Sequence, residues 1–227
     1  MRFFDILFSS LAICVLSPFF LIIIIILLIT GEHKVFYFQD RVGKGGELFR
    51  LFKFTTMISD SMNMGTGAIT VKDDPRILPF GFFLRKTKIN ELPQLFNIFW
   101  GHMSVIGPRP QTPRCFSVFP IESRNIITQV RPGLSGIGSI IFRSEEDILQ
   151  GSGQIEFYDN VIAPYKGLCE SWYVSNYSLR NYFLLIFITV WTVFFPRTQI
   201  MWRLKDLPVP PKELEDLLNY PYIFFLK

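Results

Sequence analysis

The hydrophobic pattern divides the chain into a long apolar run at the start, an aromatic-rich middle and a shorter apolar run near the end. Residues 6–29 carry no charged side chain, and a run of that length forms a helix able to cross a bilayer. Ser17-Pro18 falls in its middle. Proline deletes one backbone hydrogen bond and clashes with the preceding turn, so the helix kinks there. The Ser17 hydroxyl can satisfy a freed carbonyl. A kinked helix can cross the membrane or dip in and return to the same face, and the flanking cations Arg2 and Lys34 do not decide between the two. The run is longer than the apolar core of a signal peptide, and no small-x-small cleavage site follows it.

Residues 35–54 contain two aromatic-rich runs around Gly43-Lys44-Gly45-Gly46, a hairpin signal. The tip lacks the Gly-Lys-Ser/Thr ending of a phosphate-cradling loop. Residues 59–70 are polar and contain Gly and Met, as expected of a mobile loop. Lys72-Asp73-Asp74-Pro75-Arg76 offers two adjacent carboxylates that could ligate a metal, but an Asp-Pro turn capping the next helix is the favoured reading. Leu92, Leu95, Phe96 and Phe99 recur with helical spacing and predict one apolar face. Asn90 then stands as N-cap, and Pro93 lies in the first turn, where its missing N–H costs little. Ser144-Glu145-Glu146-Asp147 reads as another helix start. Residues 182–195 are apolar and aromatic but too short to cross a membrane. Bracketed by Arg180 and Arg197, they read as a helix lying in the interface, with a buried core helix as the alternative. Residues 204–227 form a Pro-rich, then mixed-charge, then aromatic tail.

The chain has 227 residues, 25 of them Phe, and a formal charge of +4. An aromatic load of this kind suits a lipid–water interface, and a mild basic excess suits anionic headgroups and phosphates. The charge is too weak and too scattered for a nucleic-acid surface, and no nucleic-acid-binding motif is present. Three cysteines, Cys14, Cys115 and Cys169, are too few and too far apart for a disulfide framework or a CxxC metal site, and point to reduced thiols facing the cytoplasm.

Residues 86–110 read KTKINELPQLFNIFWGHMSVIGPRP. Together with RVGKGGELFRLFKF at 41–54 and RPGLSG at 131–136, this stretch closely resembles the bacterial sugar transferases, small monotopic phosphoglycosyl transferases. The resemblance covers residues 1–197. It implies a mixed α/β monotopic membrane protein, with a re-entrant helix within 1–33 and a transferase domain over 34–197 that includes interfacial amphipathic helices, one of them near 182–195; the tail at 198–227 lies outside the resemblance, and the whole reads as one structural unit. Ser17 and Pro18 would make the re-entrant kink and place both flanks on the cytoplasmic face of the bacterial inner membrane. The implied reaction moves a sugar-1-phosphate from a nucleotide-diphosphate sugar to polyprenol phosphate through a covalent aspartyl intermediate, with Mg²⁺, in surface glycoconjugate synthesis.

In that family an Asp-Glu pair is usual, with the Asp as nucleophile; this chain has Asn90-Glu91. Asparagine caps a helix as well as aspartate does, but its amide is a poor nucleophile and brings no charge to a metal. Adjacent helical residues point about 100° apart, so Glu91 cannot take over that position. Glu91 matches the second member of the pair, a carboxylate that organises phosphate and metal. Arg109, held between two prolines, suits bidentate phosphate binding, and Arg131, Lys86 and Arg85 are further phosphate-binding candidates. Two other departures accompany Asn90: Thr55 where the family has arginine, and His102 where it has aspartate. His102 is read as a surface or hydrogen-bonded histidine rather than a catalytic one. The rival reading is a non-catalytic homologue that serves as partner, scaffold or regulator of an active transferase, or presents substrate, in a homo- or hetero-oligomer; an Asp-to-Asn change made by design would leave the same sequence.

Overall fold

The computed structural model describes residues 1–65, 67, 70, 74–149, 153–196 and 198–221. Helix α1 (Arg2–Ile29) leads into an antiparallel hairpin of β1 (Phe36–Val42) and β2 (Leu48–Phe54). Helix α2 (Pro79–Lys86), a 3₁₀ turn at Ile89–Glu91, α3 (Gln94–Trp100) and strand β3 (Ser104–Ile106) follow. The second half runs through α4 (Pro113–Ser117), α5 (Ile121–Ile127), β4 (Gly133–Ser135), α6 (Ile137–Ile141), α7 (Glu145–Ile148), α8 (Gln154–Phe157) and a π-turn at Tyr158–Ile162. It closes with α9 (Ala163–Ser175), α10 (Leu179–Phe194), a 3₁₀ turn at Ile200–Arg203 and α11 (Lys212–Glu215). The fold is mixed α/β with two small two-stranded sheets.

Helix α1 is the one described helix long and apolar enough to cross a membrane. It continues through Pro18, for a local reason. Residue 18 has no N–H for the Cys14 carbonyl, and the Ser17 hydroxyl donates to that carbonyl instead, at 2.9 Å. One stripe of α1, Phe20, Ile23 and Leu27, packs with Leu51, Phe54, Leu84, Leu95, Ile98 and Met103. The opposite side leaves Phe3, Leu11, Val15, Leu21 and Ile25 exposed. Both ends of the helix are fastened to the rest of the chain. Arg2 donates to the Ile98 and Phe99 carbonyls at 2.5 and 2.7 Å, near the carbonyl end of α3 where cations are favoured. The buried Asp5 carboxylate accepts from Ser104 Oγ, the Val105 N–H and the Tyr182 hydroxyl at 2.8–2.9 Å. Just past the other end, Glu32 accepts from the Ser59 N–H at 2.9 Å.

The hairpin forms as expected, with Phe36 opposite Phe54 and Val42 opposite Leu48. Strands β3 and β4 pair in parallel, and this explains the RPGLSG turn. Gly133 lies so close to the backbone of Gly107 that a Cβ there would stand 2.1 Å from the Gly107 nitrogen. A second, larger core gathers α6, α9 and α10, and Val105 touches both cores.

Several expectations are corrected. The described part of 59–70 is tied down by buried Arg76, which donates to the Ser61, Met64 and Gly67 carbonyls at 2.7–2.8 Å. Asp74 makes its turn by accepting from the Arg76 N–H at 3.0 Å, but it does not cap the next helix: α2 starts at Pro79, with Leu78 before it. Lys72 and Asp73 lie outside the described residues, as do Arg197 and residues 222–227. Helix α10 divides the two readings given to it. Tyr182, Leu185, Ile188 and Thr192 are buried, whereas Phe183, Phe187, Val190 and Phe194 are exposed. The tail docks on the body: the Tyr165 hydroxyl and Trp172 Nε1 donate to the Pro208 and Lys205 carbonyls, each at 2.9 Å.

Candidate active site

The hairpin supplies the first wall of the site. Side chains on alternate positions of a strand share a face, and Tyr37, Gln39 and Arg41 of β1, with Lys53 opposite Tyr37 on β2, all face one cavity. The cavity holds about 190 Å³. Its floor comes from the 86–110 stretch. Lys88 adopts a left-handed conformation (φ 59°), which turns the chain into the 3₁₀ turn bearing Asn90 and Glu91. The far wall is Glu145, Leu149, Tyr158 and Lys166.

Asn90 is not the N-cap of α3. That helix begins at Gln94, with Pro93 before it, and no side chain caps it. The 3₁₀ turn takes up the residues that helical spacing had assigned to the first turn, so the buried face shifts to Leu95 and Ile98 and leaves Phe99 exposed. Asn90 is 5% exposed and lines the cavity, and its Oδ1 has no hydrogen-bond partner. The hydroxyl of Thr55, also buried and also lining the cavity, is likewise unpartnered. A buried polar atom without a partner is costly, and two such atoms facing one cavity point to a polar ligand.

Glu91 accepts from Arg109 Nη2 at 2.9 Å. Burial pushes the Glu91 carboxyl up, but Arg109, Lys53 and Lys88 outweigh it and hold the group well below the usual carboxylate range. Glu91 in turn holds Arg109 firmly charged against the opposing effect of burial. The Arg109 backbone N–H donates to Glu170 Oε1 at 2.9 Å. Glu170 is itself buried, which pushes its carboxyl up to about 7 despite that bond. Burial, then Arg41, Arg109 and Arg85, push the Lys53 amine down to about 7 against the pull of Glu91. Burial and Arg109 bring Arg41 down to about 10. Arg41 also joins the walls, donating to the Pro110 carbonyl at 3.0 Å.

Of the residues read from the sequence, Asn90, Glu91, Arg109 and Arg85 meet at the cavity and Lys86 does not line it. Arg131 lies outside it too. Its Nε donates to the Gly101 carbonyl at 2.7 Å, so it braces the β3–β4 junction. His102 is exposed and stacks on Phe49, with ring centroids 6.1 Å apart. The sequence reading missed Lys53, Arg41, Lys166, Glu145 and Glu170. A period-2 reading of the hairpin puts Arg41 and Lys53 on one face; nothing local marks the others. Lys166 is 2% exposed and meets both Glu145 oxygens at 2.8 Å.

Residues 1–196 match the family model described as bacterial sugar transferase. The chain belongs to that family. It is 32% identical over 193 residues to a UDP-N-acetylgalactosamine-undecaprenyl-phosphate N-acetylgalactosaminephosphotransferase of Aeromonas hydrophila, covering 83% of this chain and 42% of that protein. It is 30% identical over 203 residues to the exopolysaccharide production protein ExoY of Rhizobium meliloti, covering 83% of each. A UDP-glucose:undecaprenyl-phosphate glucose-1-phosphate transferase of Klebsiella pneumoniae is 30% identical over 86% of this chain and 40% of its own length. The chain thus spans about half the length, or less, of several curated relatives it matches. Membership in the sugar transferase family accounts for the motifs at 41–54, 86–110 and 131–136.

The family resemblance implies Mg²⁺, and the donors at this cavity do not fit it. Among the described residues that line the cavity, the two carboxylates, Glu91 and Glu145, are each engaged by a cation, Arg109 and Lys166. Among the described residues no group of three His, Cys, Asp or Glu side chains could hold a metal ion.

Proposed function

We propose that this chain binds the two substrates of sugar-1-phosphate transfer, a nucleotide-diphosphate sugar and polyprenol phosphate, and that it works at the cytoplasmic face of the bacterial inner membrane. The observation that carries this reading is the cationic cavity at the 86–110 stretch, where the Glu91–Arg109 pair adjoins the unpartnered Asn90 amide. Arg109, Lys53 and Arg41 are suited to a diphosphate, and Glu91 fixes the direction of the Arg109 guanidinium. The exposed apolar faces of α1 and α10 supply a seat in lipid. Attachment of both flanks of α1 to one body supports a re-entrant helix over a spanning one.

Asn90 closes the covalent route, because a carboxamide does not attack phosphorus as a carboxylate does. Transfer is then left to direct attack. An oxygen of polyprenol phosphate forms a bond to the sugar-side phosphorus, the bond to the nucleoside monophosphate breaks, and the cations take up the charge of the leaving group. The second reading, a homologue that holds substrate without turning it over, is favoured by the same amide.

The deciding experiment incubates the purified chain with a panel of nucleotide sugars, with and without polyprenol phosphate. Nucleoside monophosphate release and intact mass are followed. Direct transfer gives release only when the acceptor is present, and no adduct. Binding with no release in either case supports the holding reading. A covalent phospho-sugar adduct on the unmodified chain would refute both. Asn90→Asp restores a carboxylate at the cavity and is expected to yield an adduct and release without acceptor.

A further inference from the structure

The charges around the cavity lean strongly to one side. Among the described residues, six cationic side chains line it, Arg41, Lys53, Arg85, Lys88, Arg109 and Lys166, against two carboxylates, Glu91 and Glu145. Both carboxylates already have partners, at 2.9 and 2.8 Å. A small, hard divalent cation needs several anionic oxygens to offset its dehydration; here Glu145 gives both oxygens to Lys166 and Glu91 gives Oε1 to Arg109, which leaves Glu91 Oε2 alone among the described lining carboxylate oxygens. The excess of cations over carboxylates among the described lining residues also disfavours it. The buried oxygens that line the cavity without a partner, Asn90 Oδ1 and Thr55 Oγ1, are neutral; Glu170 Oε2, also buried without a partner, is not among the lining residues. Their groups have hydrogens to offer as well: the Asn90 amide can turn its NH₂ inward and the Thr55 hydroxyl can rotate, so both suit the oxygens of a phosphate.

We propose that this cavity takes the diphosphate of its ligand without a divalent metal, with Lys53 and Arg41 supplying the charge that a metal ion would bring and with Asn90 and Thr55 as neutral donors. The inference rests on the reading above that the ligand is a nucleotide diphosphate. Lys53 suits this role by position. It stands on the hairpin face that looks across the cavity to the turn bearing Asn90 and Glu91, with Arg41 on the same face, Arg85 from α2 and Arg109 from the Pro-Arg-Pro turn around it. Burial and those neighbours drive its amine towards neutrality in the free protein. A bound dianion reverses that pressure, so binding near neutral pH takes up a proton at Lys53.

The test is calorimetric titration of the full chain in nanodiscs with uridine and guanosine 5′-diphosphates, in excess EDTA and in excess MgCl₂. Affinity in EDTA is expected to stay within about threefold of that in Mg²⁺ for whichever nucleotide binds. Lys53→Met is expected to weaken binding at least about tenfold and abolish proton uptake, read from the dependence of the heat on buffer ionisation enthalpy, while Lys53→Arg restores affinity. Asn90→Asp should make affinity depend on Mg²⁺ by about tenfold, because it adds an uncommitted carboxylate. If the unmodified chain binds at least about tenfold better with Mg²⁺, the metal-free inference is wrong while the ligand reading stands. Binding of neither nucleotide in either condition overturns both.

Discussion

The 86–110 stretch carries two buried asparagines whose surroundings are opposite. Asn97, on α3, is fully buried, and both ends of its amide are bonded. Its Oδ1 accepts from the Phe52 N–H at 2.9 Å and its Nδ2 donates to the Arg50 carbonyl at 2.8 Å, so the amide continues the ladder along the open edge of β2. Asn90, in the turn just before that helix, is almost as buried, and its Oδ1 has no partner. The same side chain thus serves as a staple in one place and as an open functional group in the other. Burial does not separate the two; hydrogen-bond satisfaction does.

The largest effect on stability is expected at the staple. Asn97→Ala strands a backbone N–H and a backbone carbonyl of β2, each a loss of about 1–3 kcal/mol where water cannot replace it. The variant should lose about 2–4 kcal/mol against denaturant in detergent. A change below that of an ordinary surface substitution would mean that water reaches the edge of β2, and the contrast with Asn90 would collapse.

At the cavity the measurable quantity is affinity. Arg109→Ala removes a charge-assisted bond worth about 1.5–3 kcal/mol and leaves Glu91 buried without its partner. Binding of a nucleotide diphosphate is expected to weaken by that amount, and equilibrium dialysis against a labelled nucleotide measures it. Unchanged affinity would remove Arg109 from the site and leave its pairing with Glu91 a matter of folding.

How far the sequence exposes this division can be judged from particular residues. The hairpin and the long N-terminal helix are legible because their signals, turn glycines and an unbroken apolar run, are local. The Ser17 hydroxyl reaches the carbonyl that Pro18 leaves free because the two residues adjoin. Helical spacing extended one turn too far back makes Asn90 look like a cap; the left-handed Lys88 that prevents this has no mark of its own in the sequence. Arg131 looked like Arg109, each beside proline, and only the parallel pairing of β3 with β4 separates brace from ligand-facing group. Thr55 and Asn90 were separate departures from the family pattern in sequence. In space they line one cavity, and together they remove one expected cation and one expected anion from it.

A smaller effect concerns pH. The Lys53 amine lies at about 7 in the folded chain, below its ordinary 10.5. Between those values the unfolded chain binds the extra proton, so stability rises with pH across that window and levels off above it. The slope from this group is at most about 1.4 kcal/mol per pH unit. Thermal unfolding of the ligand-free chain from neutral to mildly alkaline pH should show this rise, and Lys53→Met should flatten it. An identical pH profile in both proteins would place the Lys53 amine in an ordinary environment.

The smallest effect is the sharpest test of the comparison. Asn90→Ala removes an acceptor that makes no hydrogen bond, so the variant loses no bond on folding and no longer buries an unsatisfied oxygen. The side chain it shortens borders a cavity, so little packing is lost with it. The two contributions oppose each other, and the expected change in stability is within about 0.5 kcal/mol, with either sign. Measured beside Asn97→Ala in the same detergent, the pair should differ several-fold although the chemistry removed is identical. A loss at Asn90 as large as that at Asn97 would show that its Oδ1 is engaged in the folded protein, and the case for an open functional group at that turn would fail with it.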